Sequence, residues 1–569
     1  MTKTGPVHMR NPHIRVGSPQ ARPWLPGACL ALAVSLVFVN CLWNGFVWDD
    51  EQFILKNQWL TSWRLLPALL THNVVAGAGV VGNLYRPLQS LTHLIDVQLW
   101  GYRPWGHHLS TVLFHVAASI AVFRLFARLY PAWPAALAAA SWALHPMQSE
   151  VVAYACGRVD TLALLFLCMG LMAFERHRWL SLLCAAFSMA SKEYGVLFPV
   201  CLLLYEHARG SKSDLRRALP HWLLSGAYVA ARLTILNFHD TLNFYHYPTL
   251  LTAHPAWRVF TYLTTLPKGL LLWLWPADLH HERSWSVFAS PLLPQVWLSL
   301  LLVLMLLGVA LWLRTRRRTV AVGILWFFLA TAPTSNVFVV INALFYDHWF
   351  LFPGLGLAMI VGHIISSAWS GPAWRRRATA VASGTVLLAL SLLTVRDNRL
   401  WRSPLTLYPH ILRYEPRSAK IHNNLGMAYA DAGRLPEAIQ HYKDAIALSD
   451  EFPETHHNLG NAYLHTGDDA AAQEEFERAV ALNPHFHHAW IALGFVQLAH
   501  QRLQEAADAF EHARRAYPYA PDIYLGLAQV SLSQGDSRAA LAALDEGLRL
   551  LPDNAALRSA RARMRASPP

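Results

Sequence analysis

Over residues 25–397, long apolar runs alternate with short polar loops; beyond them the chain turns polar and alanine-rich. A membrane crossing needs roughly 20 mostly apolar residues, fewer for a short helix enclosed by its neighbours. Runs near that length lie at 25–47, 108–129, 133–146, 159–174, 178–191, 194–207, 219–236, 292–313, 319–335, 343–367 and 378–395. The apolar stretch 258–276 is interrupted by Pro267-Lys268 and reads as a re-entrant or surface-lying hairpin. The pattern therefore predicts an all-α, polytopic membrane domain of about eleven spans plus one re-entrant segment.

The tail repeats with a period of 34 residues: Leu425-Gly426, Leu459-Gly460, Leu493-Gly494 and Leu527-Ala528. Ala438, Ala472, Ala506 and Ala540 share that spacing, as do Tyr442, Phe476, Phe510 and Leu544, and Pro484, Pro518 and Pro552 close three units. This is the tetratricopeptide signature, in which small residues let two helices approach and an aromatic fills the space between them. Boundaries follow: a cytoplasmic tail at 1–24, the membrane domain at 25–397 and a linker at 398–418. Four repeats occupy 419–452, 453–486, 487–520 and 521–554 as an α-solenoid, and a capping helix and tail end the chain at 555–569.

Charge adds topology. The net +12 suggests nucleic acid only until its distribution is read, since the basic residues sit in short loops between apolar runs. Lys3, Arg10, Arg15 and Arg22 precede the first run, and Arg124/Arg128, Arg176/Arg178, Arg209 to Arg217, Arg314 to Arg318 and Arg375-Arg376-Arg377 separate later ones. If all face the cytoplasm, the N-terminus is inside, 258–276 does not cross, and the repeats lie outside. The first run lacks an A-x-A cleavage site and reads as an uncleaved anchor. The six cysteines lie in or beside apolar runs, with no disulfide framework or zinc pattern.

The polar motifs then fall on one outer face. They are Trp48-Asp49-Asp50-Glu51, Tyr85-Arg86-Pro87, Gly106-His107-His108, the stretch His145 to Glu150, Cys156 to Asp160, Ser191-Lys192-Glu193, Thr334-Ser335-Asn336 and Tyr346-Asp347-His348. Adjacent carboxylates raise one another's pKa, which makes the Asp49-Asp50 pair a candidate proton acceptor. His145 and Glu150 stand five residues apart and do not match the i, i+4 zinc pair of a helix. Asp278, His280, His281 and Glu282 cluster without a ligand spacing and read as a solvated or acceptor-facing loop. No metal ligand set is assigned.

In Gly45 to Asp50, Tyr85-Arg86-Pro87-Leu88, His145-Pro146 with Glu150, Gly157-Arg158 with Asp160, Ser191 to Val196, Pro333 to Asn336 and the array opening at Ile421 to Gly426, the chain resembles a known family. It is similar to the transmembrane and tetratricopeptide-repeat (TMTC) O-mannosyltransferases, GT-C glycosyltransferases that use lipid-phosphate-linked sugars. Asp347-His348 departs from the family's Glu-Arg. The absence of Asn-x-Ser/Thr sequons and the abundance of alanine and arginine fit a bacterial inner-membrane protein with its active loops and repeats outside.

The resemblance implies an inverting transferase. Asp49 would be the general base, with Asp50 orienting the acceptor or assisting a metal, and Arg86, Arg158 and Lys192 would cradle the donor phosphate. Glu150, Asp160, Glu193 and His145 would orient sugar or acceptor, and Trp48 would stack on a sugar ring. The competing role for Arg158 and Lys192 is an ion pair that only holds helices together. The implied partners are a polyprenyl-phosphate-linked hexose (mannose by resemblance), membrane lipid and a Ser/Thr-bearing polypeptide held in the repeat groove, with no nucleic acid. No cofactor is assigned with certainty, and a divalent cation stays open as an alternative. Two other readings use the same residues: a non-catalytic membrane scaffold with envelope-protein-binding repeats, and a GT-C enzyme that glycosylates a lipid or polysaccharide.

Overall fold

The computed structural model describes residues 24–80, 82–211, 214–238, 250–341 and 343–566. The N-terminal residues 1–23, with Lys3, Arg10, Arg15 and Arg22, lie outside the described residues, as do Lys212 and Ser213 of the Arg209 to Arg217 cluster. Among the described residues all regular structure is helical. Six helices among the described residues are long and apolar enough to cross a membrane: Leu25–Trp43, Pro104–Phe126, Ala155–Ala173, Pro294–Leu313, Asp347–Trp369 and Ala373–Arg402. Arg318–Thr334 is a shorter apolar helix. Ala132–Ala143, Arg178–Ser191, Phe198–Arg209 and Leu215–Leu233 occupy further predicted runs.

The shortest of these are enclosed by protein. Ala135, Ala138, Ala139 and Ala143 are fully buried, because alanine lets neighbouring helices approach the 12-residue Ala132–Ala143 closely. The buried indoles of Trp142 and Trp326 donate to the carbonyls of Leu351 and Phe352 at 2.9 and 3.1 Å, tying the first turn of Leu351–Trp369 to its neighbours.

Two segments depart from expectation. Pro267-Lys268 does not make a hairpin: Pro255–Leu274 is one 20-residue helix with Pro267 inside it. A proline removes one bond of the ladder, but Leu266 and Leu272 on either side are buried in the same cluster with Phe327, Phe345 and Phe350, which holds both halves in line. The stretch 398–418 is no free linker either. It forms a 3-10 turn, Arg399–Arg402, and the helix Pro404–Leu412, opened by a Ser403–Thr406 capping box. Its Trp401, Leu407, Tyr408 and Ile411 share the core of the membrane domain and continue into Ile421 and Leu425 of the first repeat.

The tail is four helix pairs: Ala419–Asp431 with Leu435–Leu448, Pro453–Thr466 with Asp469–Leu482, His487–Ala499 with Leu503–Ala516, and Pro521–Ser533 with Ser537–Leu550, followed by Ala555–Ala566. Within each pair glycine meets the aromatic. A Cβ on Gly426, Gly460 or Gly494 would stand 2.6–2.7 Å from the ring of Tyr442, Phe476 or Phe510. Phe476 and Phe510 are fully buried, each stabilising its pair by roughly 1.5–3 kcal/mol.

The solenoid bends back over the loops of the membrane domain. The Tyr517 hydroxyl donates to the Gly77 carbonyl at 3.1 Å, and Tyr519 packs edge-on to Trp59. At the other end, Glu415 accepts from Ser284 N–H at 2.9 Å, and Lys420 Nζ reaches Glu282 at 3.1 Å.

Candidate active site

The first apolar helix ends at Trp43, and the loop beyond it is anchored on both sides. Asn44 donates to the carbonyls of Ala153 (2.9 Å) and Asn398 (3.2 Å), and Gly45 N–H donates to Arg402 C=O at 2.9 Å. Trp48 takes a left-handed φ of 56°, a conformation that costs a non-glycine residue of order 1–3 kcal/mol and persists only where the surroundings hold it. Its N–H donates to the Tyr408 hydroxyl at 3.3 Å.

The aspartate pair is divided by its surroundings. Asp50 is fully buried and accepts three backbone N–H bonds, from Val47 (3.2 Å), Ala155 (3.3 Å) and Cys156 (2.8 Å). Burial pushes its carboxyl up to about 6 against the opposing pull of the Cys156 bonds. Asp50 is therefore a clamp that fixes the loop. Asp49 is half-buried, and no donor or cation among the described residues bonds its carboxylate. Burial raises its pKa, opposed by the charges of Lys420, His281, Arg86 and His348.

Arg86 stands at the N-terminus of the helix Pro87–Trp100, where proline in the first turn presets the helix and the free N–H groups favour anions. Its guanidinium forks onto Glu193 at 3.0 and 3.2 Å. Burial opposes the charge of Glu193, and Arg86 outweighs it and holds that carboxyl below its usual range. Lys192 Nζ contacts both oxygens of Asp160 at 2.7 Å, and Tyr194 donates to Asp160 at 2.8 Å. The two pairs are joined through the chain, since Lys192 and Glu193 are consecutive residues.

Arg158 lies elsewhere. It is fully buried and pairs with Asp96 at 2.5 Å, and its other donors bond the carbonyls of Ala155 (3.0 Å) and His107 (2.8 Å). With its donors engaged by protein it does not face a donor phosphate. It is a positioning residue that holds the turn Ala155–Gly157, whose N–H groups hold Asp50. Gly157 is required there because a Cβ would stand 2.4 Å from the Val151 carbonyl oxygen. His145 is likewise enclosed: Nε2 faces Trp273 C=O at 2.9 Å, and Nδ1 accepts from Met147 N–H at 3.2 Å. It caps the turn Pro146–Gln148 and presents no nitrogen to a sugar. The Trp48 ring is covered by Lys420 Nζ, 4.4 Å above it, and by the edge of His281 at 4.3 Å.

Glu150 meets residues that sequence spacing does not connect. His281 Nδ1 and His348 Nδ1 both contact its Oε1, and His348 N–H donates to its Oε2 at 3.2 Å. The loop carrying His281 is not solvated: His280 and His281 are buried, and Arg283 bonds both oxygens of Asp347 at 3.1 Å. His281 thus joins Glu150 and His348 and not its neighbours in sequence. Lys420, from the first repeat, carries no motif that could have announced it. Asp96 did carry a signal, as a lone carboxylate in an apolar stretch.

Residues 88–236 match the family model for dolichyl-phosphate-mannose-protein mannosyltransferase. Tetratricopeptide-repeat models match 426–467, 457–521 and 497–564. The human protein O-mannosyl-transferase TMTC1 is 25% identical over 495 residues, covering 74% of this chain and 55% of its own length. The Caenorhabditis elegans protein O-mannosyl-transferase F38B6.6 is 23% identical over 450 residues, covering 75% of this chain and 63% of its own length. The chain thus spans little more than half the length of these relatives. Among solved structures, the crystal structure of MamA aligns with 28% of this chain and 88% of its own at 23% identity and a TM-score of 0.24. A region similar to the dolichyl-phosphate-mannose-protein mannosyltransferase family is thus followed by tetratricopeptide repeats, in one chain and in that order, and the chain is similar over three quarters of its length to protein O-mannosyl-transferases such as TMTC1.

Proposed function

We propose that this protein is an integral-membrane glycosyltransferase that moves a hexose from a polyprenyl-phosphate donor to Ser/Thr hydroxyls of polypeptides on the outer face of the membrane. One observation carries the reading. Of the carboxylates gathered at this face, Asp50, Glu150, Asp160, Glu193 and Asp347 are each engaged by N–H donors or cations, whereas Asp49 has no bonded partner among the described residues. A general base needs such a free carboxylate with a raised pKa.

The acceptor hydroxyl oxygen attacks the anomeric carbon, its proton passes to Asp49, and the bond from that carbon to the phosphate oxygen breaks with its electron pair on the phosphate. Attack opposite the leaving group inverts the anomeric centre. Arg86 and Lys192 supply fixed positive charge for the departing phosphate, each kept in place by its carboxylate partner. Lys420 adds a cation from the first repeat, so an acceptor held by the solenoid arrives beside the base. That contact favours a polypeptide acceptor over a lipid or polysaccharide, and a working site over a scaffold.

Transfer in proteoliposomes from a radiolabelled polyprenyl-phosphate hexose to a Ser/Thr-rich peptide tests this. Asp49→Asn should lower the rate roughly 10²–10⁴-fold, the range for loss of a general base. Unchanged transfer by Asp49→Asn would remove Asp49 from the chemistry.

A further inference from the structure

Among the described residues, three groups of His and carboxylate side chains come together: His93-Asp96-His107, Glu150-His281-His348 and His422-His441-Asp444. In the first, Arg158 Nη1 stands 2.5 Å from Asp96 and already neutralises it. The third is half-exposed on the first repeat. The second differs from both. Among the described residues no Lys or Arg pairs with Glu150, unlike Asp96, and Glu150 and His281 are buried, unlike the repeat group; as in the other groups, one ligand atom from each residue lies within 4.8 Å of the other two.

The three side chains come from separate segments, each fixed independently. Glu150 belongs to the short helix Ser149–Val152, His281 to the loop after Pro255–Leu274, and His348 to the turn Asp347–Phe350. Arg283 locks the His281 loop onto Asp347, with His280 N–H donating to Asp347 at 3.0 Å as well. His348 N–H holds the far oxygen of Glu150, so the near oxygen is left to the two imidazoles. His281 is 6% exposed, and its Nε2 has no hydrogen-bond partner among the described residues. Such a preset arrangement of two imidazoles and a carboxylate, with a buried ring nitrogen unmatched, is a ligand set and not merely an ion pair.

We propose that Glu150, His281 and His348 bind one divalent transition-metal cation, with Zn²⁺ the best match to two nitrogen ligands and one carboxylate. Three protein ligands leave a tetrahedral ion one open position. Trp48, the residue before Asp49, packs against His281, so the ion lies beside the catalytic loop. On the transferase reading above, the open position takes a phosphate oxygen of the donor and adds a charge that Arg86 and Lys192 do not supply.

The test is metal content of the purified full-length protein in detergent, stripped with chelator, reloaded with Zn²⁺ and desalted. Wild type should retain about one equivalent more than His281→Ala/His348→Ala, and Zn²⁺ should raise its unfolding temperature but not that of the double variant. His348→Arg, which keeps a cation but cannot ligate, guards against misfolding of the double variant and should also lose the equivalent. His441→Ala should keep it, which separates this site from the repeat cluster. Equal zinc in wild type and in both His348 variants, or none in wild type, would overturn the proposal. Asp49→Asn should retain the ion while losing transfer. Zinc lost with transfer intact would sink the metal site alone, and zinc bound by an inactive wild type would sink the transferase reading alone.

Discussion

Two adjacent aspartates of one loop do different work because their neighbours differ. Asp50 accepts three N–H bonds and Asp49 none, so a substitution at each should leave a distinct trace. A base must be deprotonated to act, and burial raises the Asp49 carboxyl above an ordinary aspartate. The acid limb of kcat/KM should therefore lie above the usual carboxylate range, with activity rising as pH rises through it. Asp50→Asn should keep that limb in place. Its amide offers one acceptor oxygen where three N–H groups need a carboxylate, at a cost of roughly 1–3 kcal/mol. The Asp50 proton is held more tightly in the folded chain than in the unfolded one, because its folded pKa is raised to about 6 from 3.8. That contribution favours the fold below the unfolded value and is lost as pH rises through the folded one. Thermal unfolding of Asp50→Asn should lack this slope, which a pH series of melting curves would read.

At the scale of elements, the pairing of glycine with an aromatic decides whether two repeat helices close. Gly460→Val would put its Cβ 2.6 Å from the Phe476 ring and should destabilise that pair by roughly 1–3 kcal/mol. Urea unfolding of the full chain should show the loss, whereas a change at the exposed Glu474 on the same repeat should not. This regularity was legible beforehand, since a 34-residue period states both partners of every contact. The hairpin at Pro267 was not, because proline alone says where a bond is missing and not whether packing on both sides keeps the helix whole. Residues 398–418 misled for a similar reason: their apolar Trp401, Leu407 and Ile411 are too few to show helical periodicity but enough to fill the core.

At the scale of the molecule, the repeats and the membrane domain share one site. Lys420 lies over Trp48 and acts on Asp49, so Lys420→Ala should lower kcat/KM and move the acid limb to higher pH without altering the insertion of the protein. Removal of residues 416–569 takes away Lys420 and the Tyr517 contact with Gly77, and should abolish transfer to protein acceptors. Sequence pattern was enough to single out the polar motifs between apolar runs, of which Asp49, Arg86, Glu150, Lys192 and Glu193 stand at the site. It could not say which charges lie at that site. Arg158 and Arg86 read alike as cations in short motifs, yet one is enclosed with Asp96 and the other meets Glu193 at the site. Nor could it join Glu150 to His281 and His348, which are brought together only by the return of distant loops.

Glycoproteomics of envelope proteins from cells carrying wild type, Asp49→Asn or no copy of the gene tests the catalytic role most directly, with membrane insertion of the variant checked by blot. The expected result is the disappearance of one Ser/Thr-linked hexose from the same proteins in both mutants. Persistence of that hexose in cells whose Asp49→Asn protein is inserted at wild-type level would contradict it.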